Sequence, residues 1–87
     1  MIARQPHVER ILCSAFGLTQ AEARIALGIM RGESVATIAA ARGIAVATAR
    51  TQLKSVFAKT RTHRQAELAA FVGRIGYREI RWTVRSP

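Results

Sequence analysis

Acidic residues are scarce in this 87-residue chain, which has 5 Asp and Glu against 14 Lys and Arg. The formal net charge is therefore +9, and the sequence pI is near 11.7. An excess of positive charge of this size is typical of proteins that bind polyanions, above all nucleic acid. An anionic membrane surface is the rival polyanion.

Cysteine is nearly absent, and long apolar runs are missing. Cys13 stands alone, so no internal disulfide can form, and we interpret it as a small buried hydrophobe. With only His7 and His63 beside it, we expect no metal site, and no cofactor or small-molecule ligand is evident. No apolar run reaches the roughly 18 residues of a membrane span, and the N-terminal apolar segment is short and contains Glu9, unlike a signal peptide. We therefore expect a cytoplasmic protein with no membrane partner.

The residue patterns that support catalysis are also lacking. The chain has no paired carboxylates, no nucleophile beside a base and no glycine-rich loop for phosphate. A chain of this length forms one small domain, in which a deep active-site cleft is improbable. We therefore expect a binding protein and not an enzyme.

Helical spacing of apolar residues and helix-capping signals predict an all-α fold. The first helix lies between Pro6, which suits a first turn, and Gly17, which suits the position after a helix. Thr19 and Glu22 have the T-x-x-E spacing of a capping box at the start of a second helix. Gly32 closes that helix.

A short helix, a glycine-containing turn and a longer basic helix follow. Ser34 is the candidate N-cap of the third helix, and Gly43 can take the left-handed conformation that redirects the chain. The fourth helix is predicted from about Val46 to Thr60. This order is typical of a helix-turn-helix, in which the second helix enters the DNA major groove.

The predicted fifth helix begins at a T-x-x-Q capping box formed by Thr62 and Gln65 and ends near Gly76. Residues 77–87 are predicted to form a short irregular or extended tail. Its apolar residues alternate with polar ones as in a strand: Ile80, Trp82 and Val84. A lone strand has nothing to pair with, which leaves a disordered tail, packing on the first helix, or contact with a partner.

The fourth helix has two distinct faces at 100° per residue. The predicted core stripe consists of Val46, Ala49, Leu53, Val56 and Phe57. The opposite face carries small residues and two long cations: Ala47, Thr48, Arg50, Thr51, Lys54, Ser55 and Ala58. Small side chains allow a helix to approach base edges closely, so this face suits a DNA groove, although a basic amphipathic helix can also be a plain solvated surface.

Three residues of this face have side chains suited to reading bases. Arg50 can make a bidentate contact to guanine, and Thr51 can touch a thymine methyl or donate a hydrogen bond. Lys54, one turn later, can reach a base or a phosphate. No acid occurs between Glu33 and Glu67, so the charge along this segment is entirely positive.

From Leu18 to Phe71 the chain resembles the LuxR-type (GerE-like) C-terminal DNA-binding domain of bacterial regulators. The motifs that carry the resemblance are "LTQAEA", Gly32, "IAAARGI", "TARTQLKSVFAKT" and "RQAEL". The resemblance implies a four-helix domain whose third helix reads DNA and whose fourth commonly pairs two subunits. It implies base contacts by Arg50, Thr51 and Lys54. It also implies contacts to the DNA backbone by Thr48, Lys59 and nearby basic residues, for which Arg42, Arg61 and Arg64 are the candidates.

Several residues depart from the family pattern. Ala45 stands where a Ser usually caps the recognition helix, and losing that hydroxyl typically costs ~1 kcal/mol. Arg61 stands where a Gly often ends the helix, so a left-handed conformation there would add strain. Arg42 replaces an apolar residue and is expected either to extend toward a phosphate or simply to face solvent.

The fifth helix offers a second surface beside its core stripe of Leu68, Phe71, Val72 and Ile75. Its small-residue face consists of Ala66, Ala69, Ala70 and Gly73. A flat face of this kind permits close approach of another helix, so we predict a homodimer interface there. The alternative is an alanine-rich solvent face selected for helix propensity.

These patterns together predict an all-α chain with an N-terminal helix in 1–17, a LuxR-type helix-turn-helix domain in 18–76 and a tail in 77–87. The favoured function is a sequence-specific, dimeric DNA-binding transcription regulator that binds double-stranded DNA, either alone or as the output domain of a larger sensor. The alternative is a helix-turn-helix interaction module that titrates another regulator.

Overall fold

The computed structural model describes the backbone of residues 6–85 and the side chains of residues 7–75. Five helices follow one another, and no strand occurs in residues 6–85: α1 Pro6–Phe16, α2 Gln20–Met30, α3 Val35–Arg42, α4 Val46–Thr60 and α5 Gln65–Arg85. The predicted all-α bundle is confirmed. Within the described part of the chain, no helix combines the length and the apolar character needed to cross a membrane.

Helix α2 is the centre of the bundle, because it packs against each of the other four helices. Seven of its eleven residues are buried, including Ala23 and Ile25. Apolar residues from the surrounding helices complete the core, among them Leu12, Ile38 and Val56. A helix enclosed in this way holds its neighbours in place, so α3 and α4 are positioned by α2 as well as by each other.

The capping signals at α2 and α3 act as predicted. The Thr19 hydroxyl accepts from the Glu22 backbone N–H at 3.1 Å, and the Thr19 N–H donates to the Glu22 carboxylate at 2.9 Å. The Ser34 hydroxyl accepts from the Thr37 N–H at 3.1 Å. Gly43 is left-handed, with φ 69° and ψ 32°, and ends α3. These local bonds satisfy first-turn amides and fix where each helix begins.

The bounds of α4 match the prediction. As expected from the sequence, neither end has the residue type that usually caps a helix there. Ala45 occupies the N-cap position and gives no side-chain hydrogen bond. Arg61 follows the helix in the left-handed conformation at φ 58°, the only non-glycine residue with positive φ in the described chain. The assignment of Val46 to the core stripe was wrong, since its side chain is 38% exposed. The turn at Gly43 directs Ile44 against the core instead.

The predicted start of α5 was wrong by about two residues. A cap at Thr62 requires the helix to begin at His63, but it begins at Gln65, so the T-x-x-Q capping box does not form. Thr62 is buried, and its hydroxyl lies 2.9 Å from that of Thr60. Glu67 instead accepts from the His63 backbone N–H at 2.7 Å. The Thr62 hydroxyl thus pairs with that of Thr60 inside the fold and does not cap α5.

The predicted end of α5 was also wrong, because the helix continues through Gly76 to Arg85. The expected irregular or extended tail is therefore helical over 77–85. A lone strand leaves its backbone groups without partners, whereas a helix satisfies them internally. The spacing of Tyr77, Ile80 and Val84 also fits a helical period. Which surface the tail contacts lies outside the described side chains.

Candidate nucleic-acid interface

The solvent-facing side of α4 between Ala47 and Ala58 carries only small or cationic side chains. The core side is buried through Ala49, Leu53 and Val56. The exposed residues are Ala47, Thr48, Arg50, Thr51, Lys54 and Ala58. This matches the predicted face, except that Ser55 is half-buried. Since α3 and α4 pack together and are joined by residues 43–45 alone, the exposed face of α4 projects from a closely packed helix pair.

The three predicted base-reading residues lie on this one face. Arg50 and Lys54 are four residues apart and both exposed, so their side chains extend from adjacent turns. The Thr51 hydroxyl donates to the Ala47 carbonyl at 3.1 Å, within the helix itself. That bond occupies the hydroxyl proton, so of the two predicted roles of Thr51 the contact of its methyl group with thymine fits the geometry better.

The residues predicted to contact the DNA backbone form two groups, which differ in whether they bond distant parts of the described chain. Thr48 is exposed on α4, and Arg61 and Arg64 are exposed just beyond its end. Lys59 and Arg42, by contrast, bond other parts of the fold. The structure thus leaves the first group open to solvent and gives the second group a structural role as well.

Lys59 joins the end of α4 to the start of α2. Its Nζ lies 2.9 Å from Oε1 of Glu22 and donates to the Gly17 carbonyl at 3.2 Å. Burial would raise the pKa of Glu22, but hydrogen bonds from Lys59, the Thr19 N–H and Ser55 outweigh it and lower that pKa to about 2. Glu22 therefore has two structural roles, since it caps α2 and anchors α4.

Arg42 is half-buried, and its guanidinium bonds other helices of the domain. Its Nη1 donates to the Ala21 carbonyl at 3.2 Å and to Oε1 of Gln52 at 3.3 Å. These bonds connect the end of α3 to the start of α2 and to the middle of α4. Sequence reasoning missed this role, and Gln52 with it, because nothing in the local pattern indicates which distant carbonyl a guanidinium will reach.

The predicted dimer face of α5 is only partly open. Ala66 and Ala70 are exposed, whereas Ala69 and Gly73 are half-buried. Ala69 packs against the core. A carbon at the Cβ position of Gly73 would lie 4.0 Å from Cγ of Met30. A partner helix would therefore meet chiefly Ala66 and Ala70.

Among the described residues, no three His, Cys, Asp or Glu side chains are grouped as metal ligands would be. Comparisons with known protein families, curated proteins and solved structures found no significant match.

Proposed function

We propose that this protein is a sequence-specific DNA-binding regulator of transcription that reads the major groove of double-stranded DNA with α4. The observation that carries the proposal is the face of α4 between Ala47 and Ala58, which presents small and cationic side chains and no acid. A helix enters the major groove only where its side chains leave room, and cations on that face attract the phosphates.

The topology around α4 supports the same reading. Helix α3 is short, the connection is three residues long, and both helices pack on α2. In helix-turn-helix proteins this arrangement holds the second helix in the groove while the first crosses the backbone. The resemblance of 18–71 to LuxR-type domains agrees with it and adds the expectation of a homodimer on paired half-sites.

Each predicted contact except that of Arg42, which bonds within the fold, has a place in this proposal. Arg50 reads a base, Thr51 touches a thymine methyl, and Lys54 reaches either a base or a phosphate. Thr48, Arg61 and Arg64 contact the backbone. Lys59 keeps one N–H beyond its two intramolecular bonds, so it can still approach a phosphate while it anchors α4. The protein would act in the cytoplasm as a binding protein without catalytic activity or cofactor.

Selection of bound sequences from a random pool of DNA duplexes tests the proposal. We expect enrichment of a short motif repeated at a spacing near one helical turn, because two-fold dimers place their recognition helices about 34 Å apart. Arg50→Glu should abolish enrichment, whereas Arg10→Glu on α1 makes the same charge change away from α4 and should preserve it. If no motif were enriched with the unaltered protein, the proposal would fail, and an interaction module that titrates another regulator would become the better reading.

A further inference from the structure

A groove of about 300 Å³ lies where α1, α2 and α3 meet, away from the exposed face of α4. Its polar lining includes three arginines and two glutamates: Arg24, Arg31, Arg42, Glu9 and Glu33. Pockets for small molecules typically begin at about this volume and combine an apolar lining with a few polar groups. Side chains of Leu27, Ile38 and Ala41 supply the apolar part here.

Two of the three arginines have carboxylate partners in the groove. Nε of Arg24 lies 3.8 Å from Oε2 of Glu9, and Nε of Arg31 lies 3.3 Å from Oε2 of Glu33. Arg42 differs, because no carboxylate of the described residues lies within ion-pair distance of it. Its two acceptors, a backbone carbonyl and the Gln52 amide, are both neutral. Among the described residues that line it, the groove therefore has one more guanidinium than it has carboxylates.

The hydrogen bonds of Arg42 also leave one edge of its guanidinium available for a ligand. Only Nη1 donates to protein acceptors within residues 7–75, so Nε and Nη2 keep their N–H groups. These two nitrogens form the planar fork that binds a carboxylate through two parallel hydrogen bonds. Hydrogen bonds between a cation and an anion are roughly twice as strong as those between neutral groups.

We propose that this groove binds a small organic carboxylate, held by the Nε and Nη2 fork of Arg42 with its apolar body along Ala41. A DNA phosphate is the less suitable anion for this position. Glu9 and Glu33 line the groove and repel any anion, so a backbone that brings several phosphates is repelled more strongly than a ligand with one carboxylate.

The position of Arg42 gives binding a consequence for α4. The same guanidinium that would hold the carboxylate donates to Gln52 in the middle of α4. A ligand on the Nε and Nη2 fork leaves the Nη1 bond in place and fixes the guanidinium, and it therefore changes how firmly α4 is held against α3. This coupling rests on the proposed function, since a change in α4 affects DNA affinity only if α4 reads DNA.

Titration of ¹⁵N-labelled full-length protein, without DNA and at constant ionic strength, tests the site by itself. Hexanoate is the probe, hexanamide is its neutral analogue, and inorganic phosphate is an anion with no apolar body. We expect hexanoate to give saturable shifts at the amides of Ala41 and Arg42, with a Kd of about 0.1–1 mM for so small a ligand. Equal binding of hexanamide or phosphate at these amides would overturn the assignment to an organic carboxylate.

Two variants separate this site from general attraction of anions to a basic protein. Arg42→Gln removes the fork, and Ala41→Phe fills the groove while it leaves Arg42 in place. Each should weaken hexanoate binding about tenfold or more, and Arg64→Gln, which removes an exposed cation elsewhere, should not. If Arg42→Gln lost its helical circular dichroism, Ala41→Phe would decide the matter. Unchanged affinity in Ala41→Phe, or shifts spread over α4 that vanish with salt, would overturn the proposal whether or not the protein binds DNA.

Discussion

Nζ of Lys59 and Oε1 of Glu22 lie 2.9 Å apart, although 37 residues separate them in the chain. The pair joins the last turn of α4 to the first turn of α2. Because the Glu22 side chain is only 10% exposed and that of Lys59 is 36% exposed, solvent screens the pair from one side only. The position of the proposed recognition helix therefore depends partly on the charge of one carboxylate.

The first prediction concerns the stability of the fold at low pH. The pKa of Glu22 is about 2 in the folded protein against an ordinary value of 4.5, so the unfolded chain binds a proton more readily. The stabilisation is fully present above pH 4.5 and is lost as the pH falls toward 2, with a screened magnitude of about 1–2 kcal/mol. Urea denaturation at pH 6 and at pH 3 measures more than half of this loss, since pH 3 lies between the two pKa values.

Glu22→Gln should flatten that pH dependence and lower the free energy of unfolding at pH 6. The matched control is Glu33→Gln, which removes an equally charged but 38% exposed carboxylate, and should leave the dependence nearly unchanged. An acid-induced loss in Glu22→Gln as large as in the unaltered protein would contradict the assignment.

A second prediction compares two glycines within helices. A Cβ at Gly28 would lie 2.8 Å from Cδ1 of Ile38, where α2 and α3 approach each other, whereas one at Gly73 would meet nothing closer than 4.0 Å. Alanine gains up to ~1 kcal/mol of helix stability over glycine, but overpacking costs ~1–3 kcal/mol. Gly28→Ala should therefore destabilise the protein by about 1 kcal/mol, while Gly73→Ala should stabilise it by about 0.5–1 kcal/mol. Thermal unfolding of both variants gives the comparison, and stabilisation by both would show that α3 yields easily.

A third prediction repairs the uncapped start of α4. Ala45 already has extended backbone angles, φ −70° and ψ 150°, which a capping serine also adopts. Ala45→Ser should raise the free energy of unfolding by about 1 kcal/mol, because its hydroxyl can accept from a first-turn N–H. Ala58→Ser, on the exposed part of the same helix, makes the same chemical change without a cap and should cost about 0.5 kcal/mol. Equal effects at both positions would rule out capping as the cause.

The features of the fold that depend on interactions between residues close in sequence could be predicted. Thr19, Ser34 and Gly43 define helix ends through bonds to residues within four positions, so their roles were readable from spacing alone. Apart from Val46, the core side of α4 could be predicted for the same reason, because the helical period determines which residues face α2. The exposed face of the candidate interface followed as its complement.

What could not be predicted depends on distant parts of the chain. Thr62 looked like a helix cap, but the folded chain buries it beside Thr60. Lys59 was expected to contact the DNA backbone, and Arg42 either to extend toward a phosphate or to face solvent. In the fold, each reaches a backbone carbonyl more than 20 residues away. A sequence shows that a long cation can bridge two elements, but only the packing of the helices decides which acceptor comes within reach.

A fourth prediction tests the proposed dimer surface of α5 at the residues that the fold leaves exposed. Ala70→Arg should abolish the dimer in sedimentation experiments, because the two introduced guanidiniums would meet across a two-fold axis and repel. The core should remain intact, since Ala70 is exposed, unlike Ala69. Ala15→Arg, at an exposed position on α1, is the control for added charge and bulk. An unchanged dimer content in Ala70→Arg would exclude this face of α5.

The last prediction separates base reading from attraction to phosphate. Arg50 projects from the exposed face of α4, so Arg50→Ala should weaken binding to the selected operator by ~1–3 kcal/mol and relax the preference at one base pair.

Arg64, beyond the end of α4, is expected to contact only the DNA backbone. Arg64→Ala should weaken every duplex alike and reduce the salt slope by about one per monomer, because one fewer counterion is displaced. Lys59→Ala should show the same uniform loss, together with a lower free energy of unfolding, because it also breaks the pair with Glu22. Affinities for operator and scrambled duplex across a salt series distinguish these cases. If Arg50→Ala lowered both affinities equally, Arg50 would act on phosphates, and the base-reading role of α4 would have to be abandoned.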